Sequence, residues 1–167
     1  VGLGTYRVLI RNQEEIQRRA GRHIRISMVA DIDVERARSL VSSDCVVVND
    51  GRQIIANPDI DIVVELIGGI EPAREFILAA INGGASVVTA NKALLAQDGA
   101  ALHDAAAANG VDLAFEASVA GAIPLLRPLR ESLAGDKVVR ILGIVNGTTN
   151  YILTRMDESG ADYWDAL

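Results

Sequence analysis

Short apolar runs rich in β-branched residues recur along the first two-thirds of the chain, at residues 24–30, 45–48, 60–67, 86–89 and 111–115, with a sixth at 138–145. Each is bounded by Gly, Asn, Asp or a charged residue, and runs of this kind predict strands buried on both faces. Between them, residues 6–20, 34–41, 71–82, 96–109 and 123–133 predict helices, and 151–156 and 161–167 predict two more. Asp33 and Pro72 stand where helix starts are expected. Gly83-Gly84 and Asn109-Gly110 stand where a left-handed residue closes a helix before the chain turns back. Strand and helix alternate, which predicts an α/β fold doubly wound around one parallel sheet with right-handed crossovers. After Pro124 the pattern changes to helix, long strand and helix, which places a domain junction near residue 122.

Composition narrows the class. Of 167 residues, 50% are hydrophobic but only 4% aromatic, enough for one sizeable core and part of a second domain. The net charge is −6, with 16 basic residues scattered among 22 acidic ones, so no nucleic-acid partner is expected. No apolar run approaches the roughly 18 residues of a membrane span, and no basic-then-apolar leader opens the chain. A cytoplasmic protein with no membrane partner is expected. The single cysteine, Cys45 in Cys45-Val46-Val47-Val48, reads as a buried strand thiol in a reducing compartment.

Candidate chemistry gathers where strands end. Val1-Gly2-Leu3-Gly4-Thr5 reads as a strand-to-helix turn in which Gly2, Gly4 and Thr5 let a dinucleotide pyrophosphate approach the backbone. The third glycine of G-x-G-x-x-G is absent and the fold plan calls for a central strand, so further residues are expected before Val1 and between Thr5 and Tyr6. Asp31 ends an apolar strand where an acid accepts hydrogen bonds from the adenosine ribose. Arg36 and Arg38 nearby could meet a 2′-phosphate, and Asp31 with Asp33 also fits a helix-capping turn. Gly68 follows the next strand, either beneath a cofactor or in a simple turn. Lys92 tips the polar turn after residues 86–89, as a functional or a solvated charge.

Three segments then carry a resemblance. Val88-Thr89-Ala90-Asn91-Lys92-Ala93-Leu94-Leu95, Phe115-Glu116-Ala117-Ser118-Val119-Ala120-Gly121-Ala122-Ile123-Pro124 and Gly143-Ile144-Val145-Asn146-Gly147-Thr148-Thr149-Asn150-Tyr151-Ile152-Leu153 occur in the order and spacing of homoserine dehydrogenases, and the sequence resembles that family over essentially its whole length. The resemblance implies a Rossmann-type NAD(P)-binding domain at residues 1–122. At 123–167 it implies the start of an α+β catalytic and dimerisation domain. It further implies interconversion of L-aspartate 4-semialdehyde and L-homoserine, on the route to threonine, methionine and isoleucine, by a homodimer or higher homo-oligomer. NAD or NADP is the implied cofactor, with Lys92 at the cofactor and substrate cleft, where its charge would steady an alkoxide-like transition state.

Gly147, in Asn146-Gly147-Thr148-Thr149-Asn150, is implied near the cofactor, although the segment equally fits an N-cap cluster. A sodium ion is implied at the backbone carbonyls of Glu116, Val119, Gly121 and Ile123. The family's main proton-handling lysine is expected beyond Leu167, so these residues alone are expected to bind cofactor without turnover. Two related readings are weaker. An aspartate-semialdehyde dehydrogenase needs a nucleophilic cysteine outside the first domain, and a sugar dehydrogenase of the glucose–fructose oxidoreductase type commonly carries a Lys-Pro pair after the strand.

Overall fold

The apolar runs become five short parallel strands: β1 (Met28–Ala30), β2 (Val46–Val48), β3 (Ile62–Glu65), β4 (Ser86–Thr89) and β5 (Leu113–Ala114). Helices α3 (Val34–Leu40), α4 (Arg52–Ile55), α5 (Ala73–Asn82) and α6 (Lys92–Asn109) alternate with them, after α1 (Gly2–Arg11) and α2 (Gln13–Ala20). The computed structural model describes residues 1–144 and 146–167, in two units, Val1–Gly121 and Ala122–Leu167. Among the described residues no helix is long and apolar enough to cross a membrane.

The core of the first unit follows from helical spacing. Ala73, Ile77, Ala80 and Ile81 lie on one face of α5 and are all buried. Leu94, Leu102 and Ala106 do the same on α6, and Val87 and Leu113 join them from β4 and β5. Asn91 caps α6 by accepting from the Leu94 amide at 3.1 Å, and Gly110 at φ 67° closes it. That left-handed closure is the one expected of a glycine after a helix. Arg74 of α5 reaches Asp98 of α6 at 2.8 Å, holding the two helices together near the strand ends.

Four expectations need correction. The strands form two sheets, β1-β2 and β3-β4-β5, rather than one. Residues 2–5 are not a glycine loop: α1 starts at Gly2 and runs without interruption through Thr5 and Tyr6. Leu3, Tyr6 and Leu9 are half-buried, as is Thr5, and stand at helical spacing; that apolar stripe outweighs the poor helix propensity of two glycines. The expected helix at 6–20 instead breaks at Asn12, which ends α1 and precedes α2. Finally, α6 begins at Lys92, not at residue 96, because the Asn91 cap starts it earlier.

In the second unit, α7 (Gly147–Ser159) and α8 (Tyr163–Ala166) are capped by Asn146 and Asp162. Residues 138–144 are irregular rather than extended into a strand, and Val145 lies outside the described residues. Val139, Leu142 and Ile144 are highly exposed there. A strand needs a neighbour to take its N–H and C=O groups, and among the described residues of this unit none pairs with it. The expected helix at 123–133 contracts to one wide turn at Pro128–Ser132.

Cys45 is buried beside β2, and desolvation pushes its thiol above the ordinary range. A raised thiol holds less thiolate at neutral pH, which fits a packing role and not a nucleophile.

Candidate functional site

Parallel strands bring their carboxyl ends to one edge, and the described chemistry concentrates there. Glu65 ends β3 with only 4% of its surface exposed. Its Oε1 accepts from the Ile67 and Gly68 amides at 2.7 and 3.2 Å, and its Oε2 accepts from the Thr89 hydroxyl at 2.6 Å. The Thr89 Oγ1 accepts in turn from the Asn91 amide at 3.0 Å. Asn91 Nδ2 donates to the Gly69 carbonyl at 2.7 Å, which closes the circuit back to the turn after β3. Gly68 and Gly69 take φ 81° and 76°, a left-handed pair that side chains would strain. Lys92, exposed, is the first residue of α6, immediately beyond this circuit.

The other part of the edge belongs to β1. Asp31 follows β1, and its amide donates to the Val48 carbonyl at 3.0 Å. Its Oδ1 accepts from the Asp33 amide at 2.9 Å, while Asp33 accepts from Arg36 N at 3.1 Å and caps α3. A cleft of about 1000 Å³ is lined by Ala30, Asp31 and Arg36 on the β1 side and by Val64 and Glu65 on the β3 side. Its floor is shaped at Gly51, where a Cβ would lie 2.9 Å from the Phe76 ring.

The residues singled out from sequence are distributed as follows. Gly68 belongs to the circuit and Lys92 directly follows its member Asn91, whereas Gly2 and Asp31 line the cleft. Gly4 and Thr5 lie on α1, where the Thr5 hydroxyl donates to the Val1 carbonyl at 3.4 Å. Arg38 pairs with Glu35 at 3.0 Å, whereas Arg36 lines the cleft, as does Arg52. Gly147 begins α7 in the second unit, and Asn146 there serves as a cap, accepting from Thr149 N at 2.8 Å. Glu116 opens a short 3-10 turn (Glu116–Ser118) that Val119 and Gly121 follow, whereas Ile123 belongs to the second unit. The four carbonyl residues are therefore not assembled within either unit alone. Sequence reasoning missed Glu65, Thr89 and Asn91 as a group. The available signal was a lone glutamate inside the apolar run Ile62-Val63-Val64-Glu65-Leu66-Ile67.

Comparison with known proteins bears on the same region. Residues 1–116 match the family model described as homoserine dehydrogenase, NAD binding domain, and residues 124–167 match that described as homoserine dehydrogenase. A curated homoserine dehydrogenase from Corynebacterium glutamicum is 50% identical over all 167 residues. One from Mycobacterium tuberculosis is 47% identical over the same length. The chain spans 37% of the length of each of these two relatives. The crystal structure of a homoserine dehydrogenase from Thiobacillus denitrificans matches with a TM-score of 0.92 at 47% identity, covering all of this chain and 38% of that one. A hyperthermophilic archaeal homoserine dehydrogenase in complex with NADPH matches with a TM-score of 0.65 at 28% identity, covering 93% of this chain and 43% of that one. With parallel strands, a carboxyl-edge site and matches along its whole length, the chain belongs to the homoserine dehydrogenase family, and its first unit is of the Rossmann type.

Proposed function

We propose that this chain is the dinucleotide-binding part, with the beginning of the catalytic domain, of an NAD(P)-dependent enzyme interconverting L-aspartate 4-semialdehyde and L-homoserine. The observation that carries the reading is the circuit joining Gly68, Glu65, Thr89 and Asn91 directly before Lys92, at the carboxyl edge of a chain of this family. Bound NAD(P)H supplies the hydride. The residues fit such a ligand at both ends. Asp31 is exposed and commits Oδ1 to the Asp33 amide, leaving Oδ2 as an acceptor for ribose hydroxyls. Arg36, on the same cleft, is the cation suited to a 2′-phosphate. Gly2 and Gly4 belong to the first turn of α1, where amides free of helical partners favour phosphate; the Thr5 amide donates to the Val1 carbonyl at 3.0 Å, so Thr5 is assigned to the phosphate through its position on that turn.

Lys92 is assigned to the nicotinamide and substrate end. Its ammonium steadies negative charge developing on the aldehyde oxygen as hydride arrives. Gly147, at the start of α7, is also assigned to the cofactor. A sodium ion is assigned to the carbonyls of Glu116, Val119, Gly121 and Ile123, an all-oxygen donor set suited to a hard cation. Ala120 at φ 50° marks the irregular backbone that such a turn requires. The full-length protein is read as a cytoplasmic homodimer or higher homo-oligomer on the route to threonine, methionine and isoleucine.

Two polypeptides test the division of labour: the 167-residue chain, and the same chain extended to the length of its relatives. The short chain is expected to change NADH or NADPH fluorescence on binding but not to oxidise the cofactor when aspartate semialdehyde is added. The longer one is expected to do both. Absence of cofactor binding by either, or sustained turnover by the short chain, overturns the reading.

A further inference from the structure

We propose that Glu65 is a positioning residue for the nicotinamide half of the cofactor, acting through Thr89 and Asn91 on the Gly68 turn and on Lys92. The proposal rests on the dinucleotide reading above, and it assigns work to a group that reading leaves unused. Glu65 is 4% exposed, with both carboxylate oxygens engaged by the protein, and among the described residues it forms no ion pair. A buried carboxylate without a cation is tolerated only when hydrogen bonds satisfy it. All three groups aimed at Glu65 are donors: the Ile67 and Gly68 amides and the Thr89 hydroxyl. That set matches an acceptor-only carboxylate.

The consequence is mechanical. The left-handed Gly68-Gly69 pair leaves β3 in a conformation with no regular ladder to hold it. Glu65 holds it from one side and Asn91 from the other. The same Asn91 caps the helix on which Lys92 is the first residue. One carboxylate thereby fixes two neighbouring turns relative to each other, at the carboxyl ends of β3 and β4. Ligand groups that meet these turns bind a surface already ordered, whereas the adenosine end is organised by β1 and α3 and does not depend on the circuit.

Glu65→Gln tests this with little change of volume. Its amide oxygen can still accept from the Ile67 and Gly68 amides, but its NH2 must donate to the Thr89 oxygen, which reverses that bond and takes away the carboxylate acceptor of the hydroxyl proton. Thr89→Val removes the same link from the other side, and Thr89→Ser restores it. Dissociation constants are measured on the 167-residue chain for reduced dinucleotide, NADH or NADPH, and for the matching ADP-ribose lacking nicotinamide. Glu65→Gln and Thr89→Val should each weaken dinucleotide binding about tenfold, the size of one network interaction. ADP-ribose binding should stay unchanged, the double variant should be no worse than either single one, and Thr89→Ser should approach wild type. Thr89→Val reads the same link should Glu65→Gln fail to fold. Equal loss for both ligands means a merely structural role and overturns the proposal, as does dinucleotide binding unaffected by either substitution. Wild-type protein that binds no dinucleotide removes the underlying reading, and this proposal with it.

Discussion

Replacing Lys92 by alanine, in a polypeptide that extends this chain to its relatives' length, should lower kcat for homoserine oxidation by roughly 10²–10³-fold, the range for removing one preorganised group that stabilises developing negative charge. Stability should hardly change. Lys92 is exposed, and among the described residues no ion pair involves it. The start of α6 is set by the Asn91 side chain rather than by the lysine. Exposed substitutions of this kind usually stay within about 0.5 kcal/mol. Steady-state kinetics beside a thermal melt separate the two quantities. Wild-type kcat in a folded variant would return Lys92 to the status of a solvated surface charge.

The second large effect is on stability. Ile77 is fully buried on α5 among Ala73, Ala80, Ile81 and Val87. Truncation to alanine leaves a cavity that helices packed on a sheet refill only in part, so Ile77→Ala should destabilise the first unit by about 2–5 kcal/mol. Against a typical total of about 5–15 kcal/mol, that is a large share. Urea unfolding should show a lower midpoint with an unchanged slope. A loss below about 1 kcal/mol would mean that the α5 face is not the packed centre described above.

Much of this fold was legible because its strands are short apolar runs with strong punctuation. The strand at 86–89 has the bounds the sequence predicts, since Gly83-Gly84 and Asn91 delimit it on both sides. The run at 138–145 has the same composition, yet 138–144 form no strand. Apolar pattern reports a wish for burial, and only a pairing partner turns it into a sheet. The opening glycines misled for a related reason. Gly-x-Gly is a cue for a phosphate loop, whereas the Leu3, Tyr6 and Leu9 stripe that makes α1 helical spans a longer window. A short helix in this region, α4, escaped notice because its four residues are too few to show periodicity.

The sequence put Asp31, Gly68 and Lys92 at strand ends, where ligands bind in parallel sheets, and the structure has them after β1, β3 and β4. Glu65 could not be assigned, because its decisive partner Thr89 is 24 residues away. Local patterns carry no information about which donors a fold will aim at one carboxylate.

The core has a one-sided distribution with a dynamic consequence. Every residue of its principal cluster falls between Ala73 and Leu113, and none comes from β1, β2 or α1. Local opening free energies follow such packing, so amide protons of β1 and β2 should exchange with deuterium well before those of β4. The cleft around Asp31, proposed above for adenosine, then belongs to the labile part of the first unit and the start of α6 at Lys92 to the durable part. On the proposed placement, a dinucleotide would gain rigidly prepared contacts at its nicotinamide end and would have to quench motion at its adenosine end, an entropic opposition to binding concentrated on one half of a single ligand.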